Sequence, residues 1–193
     1  VFKLPWNAVA CGAKPDREFV SEWKSKFAAN QGDVSSLVDW YPSEVRKLEH
    51  NAARLVCQRT NLWWDVDLRK KLFWWLIAAV ITLLFILVFL FNSQVAILTA
   101  AIFVMLPFFE FTTVYATGQH STIKRSAELK SLVEDCMDKR DFGDESSRRI
   151  QDAIFQHRSS APFVPDFFYA LFKDDQESQM NYSAEHYVSM LQK

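Results

Sequence analysis

Two apolar runs dominate the pattern of hydrophobic and polar positions. Residues 72–91 (LFWWLIAAVITLLFILVFLF) are twenty consecutive residues without a charge, and Thr82 is the one polar side chain among them. At about 1.5 Å of helical rise per residue the run spans about 30 Å, the thickness of a bilayer's hydrocarbon core. After the polar turn Asn92-Ser93-Gln94, residues 95–117 (VAILTAAIFVMLPFFEFTTVYAT) form a second run, interrupted by Pro107 and carrying Glu110. A helix apolar on every face needs protein around all of it, and a chain of 193 residues is too small to supply that cover. The pattern predicts a transmembrane hairpin over 72–117 whose spans, 72–91 and 95–117, run antiparallel because so short a turn joins them.

Outside the hairpin the pattern is amphipathic. Residues 1–14 read as irregular, and 15–29 as a helix with Pro15 in its first position and Phe19, Val20, Trp23 and Phe27 on one face. That stripe either packs against another arm or lies on a membrane surface. Residues 30–42 form a turn-rich connection, and Ser43 can cap a helix that runs into the first span unless Asn61–Asp65 bends it. Residues 118–140 continue the second span with a seam of Leu129, Leu132, Val133 and Cys136. Residues 141–145 (DFGDE) break it, and 146–158 form a short helix with Ile150, Ile154 and Phe155 on one face. A Pro-containing loop, 159–165, leads to an aromatic patch at 166–169, and 182–192 make a last helix with Ser183 as its cap. No strand pattern or repeat is visible. The fold class is all-α: a two-helix transmembrane hairpin between helical arms at 1–71 and 118–193.

Flanking charge sets the orientation. Arg69, Lys70 and Lys71 precede the first span, Lys124 and Arg125 follow the second, and the turn has no Lys or Arg. The positive-inside rule then places both arms in the cytoplasm. Half of the residues are hydrophobic, which excludes global disorder, and a net charge of −1 creates no field for DNA or RNA. Cys11, Cys57 and Cys136 are odd in number and lack metal or disulfide spacing, which fits reduced thiols.

Searches for catalytic patterns fail. There is no phosphate-binding glycine loop, and His50, His120, His157 and His186 have no metal spacing. Asp141-Phe142-Gly143 matches a kinase tripeptide with no other kinase element beside it. The acidic series Asp135, Asp138, Asp141, Asp144 and Glu145 reads as solvated surface. No nucleophile, metal or acid–base constellation supports an enzyme, and no cofactor is implied. Glu110 stands out, because a carboxylate within a span needs a partner or water. It can reach the interface or pair with Arg69 or Lys71. It can line a watery path between subunits, or hydrogen-bond Thr112, Thr113 or Thr82. Pro107, three residues earlier, can kink the helix. Glu110, Thr82, Pro107, Thr112 and Thr113 are the candidate pore or gate residues. Arg54, Arg59, Arg69, Lys70 and Lys71 form a basic stretch that meets anionic headgroups or a phosphorylated ligand.

Several segments resemble the SMODS-associated four-transmembrane effector family. They are VFKLPWN at 1–7, DWYP at 39–42, CQRTNLWWDVDLR at 57–69 and IQDAIFQHRSSAPFVPDFFY at 150–169. The resemblance covers nearly the whole chain, in order. It implies family-motif positions at Asp39, Trp40, Tyr41, Cys57, Gln58, Arg59, Asn61, Trp64, Asp65 and Arg69, and at Gln151, Arg158, Pro162, Asp166, Phe168 and Tyr169. For these a buried structural network and ligand contact are the two readings. The resemblance implies a pore-forming bacterial antiphage effector that oligomerises in the inner membrane. Its partners would be the lipid bilayer, further copies of itself, and a cyclic oligonucleotide or the synthase that makes it. The other class is a membrane-anchored binding module whose hairpin is only a tether. The family is expected to have four spans, and this chain has two, opening at the segment that would follow the second.

Overall fold

The computed structural model describes residues 4–29, 41–90 and 95–192. Within helices, the side chains of 87, 90, 95–98, 100, 101 and 104 also lie outside the description, as does the turn at Asn92-Ser93-Gln94. Every regular element among the described residues is helical: α1 (Ala8–Cys11), α2 (Arg17–Ala29), a 3-10 turn (Ser43–Lys47), α3 (His50–Leu90), α4 (Val95–Asp138), α5 (Asp144–Ser160) and α6 (Asp166–Leu191).

The long helices α3 and α4 are an antiparallel pair, and they interact along their length. Partners descend α4 as they ascend α3: Arg59 meets Glu134, Asp65 meets Ser126, and Arg69 meets Gln119. No bend interrupts α3 at Asn61–Asp65, where the helix is continuous. α4 is likewise one helix through Pro107, which has no N–H to give the Phe103 carbonyl.

The lower halves of this pair form the core. Residues 52–60 of α3 are buried on every side, because α4, α5, α6 and the 3-10 turn all pack on α3. Leu55, Val56, Cys57 and Leu62 meet Leu129, Val133 and Met137 of α4 and Ile150 and Ile154 of α5. Above them Trp64, Leu68 and Leu72 pack with Phe168 and Met180 of α6. Leu132, expected in the α4 seam, is instead exposed.

Element boundaries differ from the sequence pattern in three places. The helix expected from Ser43 begins at His50, because Leu48 is extended (φ −89°, ψ 156°). Val45, Leu48 and Tyr41 pin the preceding 3-10 turn to the core. The first fourteen residues contain one helical turn, whose first amides Val9 and Ala10 donate to the Asn7 side chain. The largest difference is α6. One helix runs from Asp166 to Leu191, absorbing the aromatic patch and leaving Ser183 mid-helix rather than as a cap. Phe168, Gln176, Met180, Ala184 and Val188 are its buried residues. A spacing of four drifts about 40° per step on a helix of 3.6 residues per turn, so the stripe winds around α6 and gives a weak amphipathic signal.

The upper halves of α3 and α4 are built differently. Large apolar side chains there face outward: Phe85 is 72% exposed, Phe89 82% and Phe103 75%. Between the helices lies a groove of about 210 Å³ lined by Val80, Leu83, Leu84, Ile102, Met105 and Phe109. Among the described residues no helix is long and apolar enough to cross a membrane. α2 is exposed along its whole length, and Phe19, Val20, Trp23 and Phe27 pack on no other arm among the described residues.

Candidate functional site

Where the apolar halves of α3 and α4 meet the bundle, the buried Arg69 is the hub of a polar collar. Its Nε donates to Asp65 Oδ1 at 2.8 Å, one turn back on α3. Its Nη1 donates to Gln119 Oε1 of α4 at 2.7 Å and to the Pro162 carbonyl at 2.8 Å. Gln119, fully buried, passes the connection on, because its Nε2 donates to the Phe163 carbonyl at 3.1 Å. The Tyr115 hydroxyl donates to the same carbonyl. The loop between α5 and α6 is thus tied to α3 by a charge-assisted hydrogen bond from Arg69, in a fork geometry that lysine cannot reproduce, and to α4 by neutral bonds from Gln119 and Tyr115. Gly118 lets the loop come close, since a Cβ there would sit 3.0 Å from Pro162 Cγ.

The second oxygen of Asp65 extends the collar. Ser126 Oγ donates to Asp65 Oδ2 at 2.6 Å and lies 2.7 Å from His157 Nε2. A hydroxyl has one proton, so with that proton on Asp65 the imidazole must donate through Nε2. The relay runs from His157 to Ser126 to Asp65. A nucleophilic triad needs the opposite sense, with histidine accepting the serine proton and the carboxylate on Nδ1. Ser126 is also fully buried, so this trio is not arranged as a nucleophile. Burial, together with the positive charges of Arg69, Arg125 and Arg158, holds His157 below its ordinary value against the pull of Asp65.

A second polar tier lies deeper. Arg59 Nε donates to Glu134 Oε1 at 3.0 Å and its Nη1 to Ser183 Oγ at 2.7 Å, with the guanidinium 4.4 Å from the centre of the Tyr187 ring. Burial pushes the Glu134 carboxyl upward, but hydrogen bonds from Arg59 and Lys130 outweigh it and hold the group below its ordinary value. Arg54 pairs with Asp144 at 2.7 Å, and Gln58 Nε2 donates to the Ser147 carbonyl at 2.9 Å and to Gln151 Oε1 at 3.2 Å. Arg54, Arg59 and Arg69 therefore point into the bundle, correcting the reading of one basic stretch aimed at headgroups. Only Lys70 of that stretch is exposed, while Lys71 bridges Asp67 and Asp175.

The remaining motif positions fall around these tiers. Asn61 Nδ2 donates to the Tyr41 hydroxyl at 2.8 Å, and Arg158 reaches the Asn61 carbonyl. Burial raises the Tyr41 phenol and pushes the Cys57 thiol up to about 12. Trp64 stacks on Tyr169 at 5.8 Å, Phe168 packs beneath, and Asp166 sits exposed in the first turn of α6. Asp39 and Trp40 lie outside the described residues.

The pore and gate candidates are not drawn together. Thr82, Thr112 and Thr113 each donate to the carbonyl four residues back, and Arg69 and Lys71 are held in the pairs above. Glu110 is exposed and has no hydrogen-bond or ion-pair partner among the described residues. Pro107 is exposed on the same helix, whereas Thr112 is buried. Thr82 lies about 200° around α3 from Val80, which lines the groove with α4, so it faces away from α4. Sequence reasoning missed Gln119, Ser126, Glu134, His157 and Ser183. A signal existed for the first two: Thr112, Gln119 and Ser126 recur every seven residues on α4. Among the described residues no group of His, Cys, Asp and Glu could hold a metal ion.

A family model described as "SMODS-associating 4TM effector domain" matches residues 1–187. A curated relative from Bacillus cereus (strain VD146), named "Probable CBASS effector molecule", is 26% identical over 188 residues, which is 93% of this chain. The chain spans 62% of that relative's length. No solved structure matches.

Proposed function

Because the chain belongs to the SMODS-associating 4TM effector domain family, we propose that it is a CBASS effector of antiphage defence that permeabilises the bacterial inner membrane. The observation that carries this reading is the separation of surfaces along one helix pair. Below Leu72, α3 and α4 bury charged and polar groups such as Arg59, Arg69, Gln119 and Ser126, each hydrogen-bonded to a partner. Beyond it, large apolar side chains such as Phe85, Phe89 and Phe103 are left outside. In water so extended an apolar surface is a liability, and in lipid it is the favoured arrangement.

Trp74, Trp75, Phe163 and Phe167, all exposed, surround the base of the hairpin, at the level where aromatic side chains anchor a protein at a membrane interface. The basic flanks, by the positive-inside rule, favour an arrangement with both arms on the cytoplasmic side. Two helices cannot enclose water, so permeation needs several copies. The trigger is a cyclic oligonucleotide or contact with its synthase, received by the arms. The collar at Arg69 ties the α5–α6 loop to both hairpin helices, which gives a signal in the arms a physical route to the spans. The family match does not favour the hairpin as a bare tether.

Dye release from liposomes carrying the full-length protein tests this, with and without cyclic di- and trinucleotides. Leakage that requires nucleotide supports the proposal. Intact liposomes in every condition, with the protein inserted, would overturn it.

A further inference from the structure

Glu110, Thr113, Thr117, His120 and Lys124 recur at intervals of three and four residues and are all exposed. At that spacing they form one stripe along a flank of α4, beside the face that meets α3 through Met105 and Phe109. The upper part of the stripe has an unusual chemistry. Thr113 Oγ1 donates to the Phe109 carbonyl and Thr117 Oγ1 to the Val114 carbonyl, each at 2.8 Å. With both hydroxyl protons committed, each threonine presents only oxygen lone pairs outward. The Glu110 carboxylate adds acceptor oxygens and has no partner of its own among the described residues. Neighbours Leu106, Phe111 and Val114 are exposed and apolar. In hydrocarbon a lone carboxylate is costly and faces water or a cation instead.

We propose that this flank of α4 lines a cation path between copies of the chain, with Glu110 setting its selectivity. The proposal rests on the pore reading above and adds which ions cross. A surface of acceptors without donors can replace part of a cation's hydration shell and offers an anion nothing. His120, whose ring lies 5.8 Å from that of Phe73, and Lys124 continue the stripe into the bundle. Lys124 is fourteen residues beyond Glu110, about 21 Å of helix. That exceeds two Debye lengths of about 8 Å at physiological salt, so its charge does not cancel that of Glu110.

The test is the reversal potential of the full-length protein in planar bilayers under a potassium chloride gradient, with the same nucleotides present. Wild type is expected to pass potassium in preference to chloride. Glu110→Gln is expected to shift the reversal potential toward zero, as loss of a charged ring does, and Glu110→Asp to retain the wild-type value. Thr113→Cys is expected to give current blocked by a cationic methanethiosulfonate reagent, beyond any block of wild type, and Val114→Cys is not. A conducting Glu110→Gln with an unchanged ratio overturns the cation path and leaves pore formation standing. Should Glu110→Gln fail to insert, an unblocked Thr113→Cys current overturns it equally. A silent wild type removes both readings.

Discussion

Ser126 and His157 are joined by a contact of 2.7 Å in which the imidazole donates, because the serine hydroxyl already donates its proton to Asp65. The bond requires His157 to hold a proton on Nε2, which the neutral ring can do. Its folded value is lowered, so on acidification the unfolded chain takes up this proton before the folded chain does. The histidine's contribution to stability is complete above about pH 6.5 and declines as pH falls from there through the lower folded value. Urea unfolding in detergent at about pH 7.5 and about pH 5 measures this. Wild type should lose more stability between the two than His157→Gln, which keeps an N–H donor and cannot titrate. Equal losses would exclude His157 from the pH response.

Arg69 joins three segments distant in sequence, so its removal should be among the costliest single changes outside the apolar core. Arg69→Met strands Asp65 and Gln119 in a buried setting, and breaking such a pair costs about 3–5 kcal/mol. Arg69→Lys keeps the charge but cannot reach Asp65, Gln119 and the Pro162 carbonyl together, and should fall between the two. Asp65→Asn should cost clearly less in the Arg69→Met background than alone, since the two share one interaction. Additive losses in the urea series would mean that the collar is not a single unit.

The helical class and the two apolar runs were legible because periodicity and charge-free length are properties of a segment alone. The collar was not. A charge within a helical pattern reads as surface, since charged residues are seldom fully buried unless paired. Arg54, Arg59 and Arg69 looked like one basic approach to a membrane. Their inward orientation depends on Asp144, Glu134, Asp65 and Gln119, and three of these four lie fifty or more residues away. α6 was hidden for a different reason, because its buried stripe advances by four and includes Gln176, whose Nε2 donates to Asp67 at 2.8 Å. Ser183 looked like a cap because a cap and a buried hydroxyl partner for Arg59 are the same residue type.

Gly118 offers a test of how tightly the loop is held. Within a helix Gly→Ala ordinarily stabilises, by about 0.5–1 kcal/mol. Here the new methyl group would press on the Pro162 ring, whose carbonyl accepts from Arg69. Gly118→Ala should therefore destabilise by about 1 kcal/mol or more, as overpacking does. Adding Pro162→Ala should recover part of the loss by removing the ring carbon. A Gly118→Ala protein more stable than wild type would show that the loop yields freely.

The division of surfaces along α3 and α4 predicts a double dissociation. Phe85, Phe89 and Phe103 are mostly exposed and contribute little to the bundle, so replacing all three with Ser should shift its unfolding by no more than about 0.5 kcal/mol per site. The same replacements place three polar side chains in the proposed hydrocarbon region and should reduce flotation with liposomes. Leu55 is fully buried among Val133, Met137 and Ile150. Leu55→Ala should cost about 2–5 kcal/mol of bundle stability and leave flotation intact while the protein stays folded. The two measurements separate a hairpin that needs lipid from one that needs protein cover. If the serine variant floated as wild type does, or lost several kcal/mol of stability, those phenylalanines would be packing against protein. Neither the membrane reading nor a cation path along α4 would then stand.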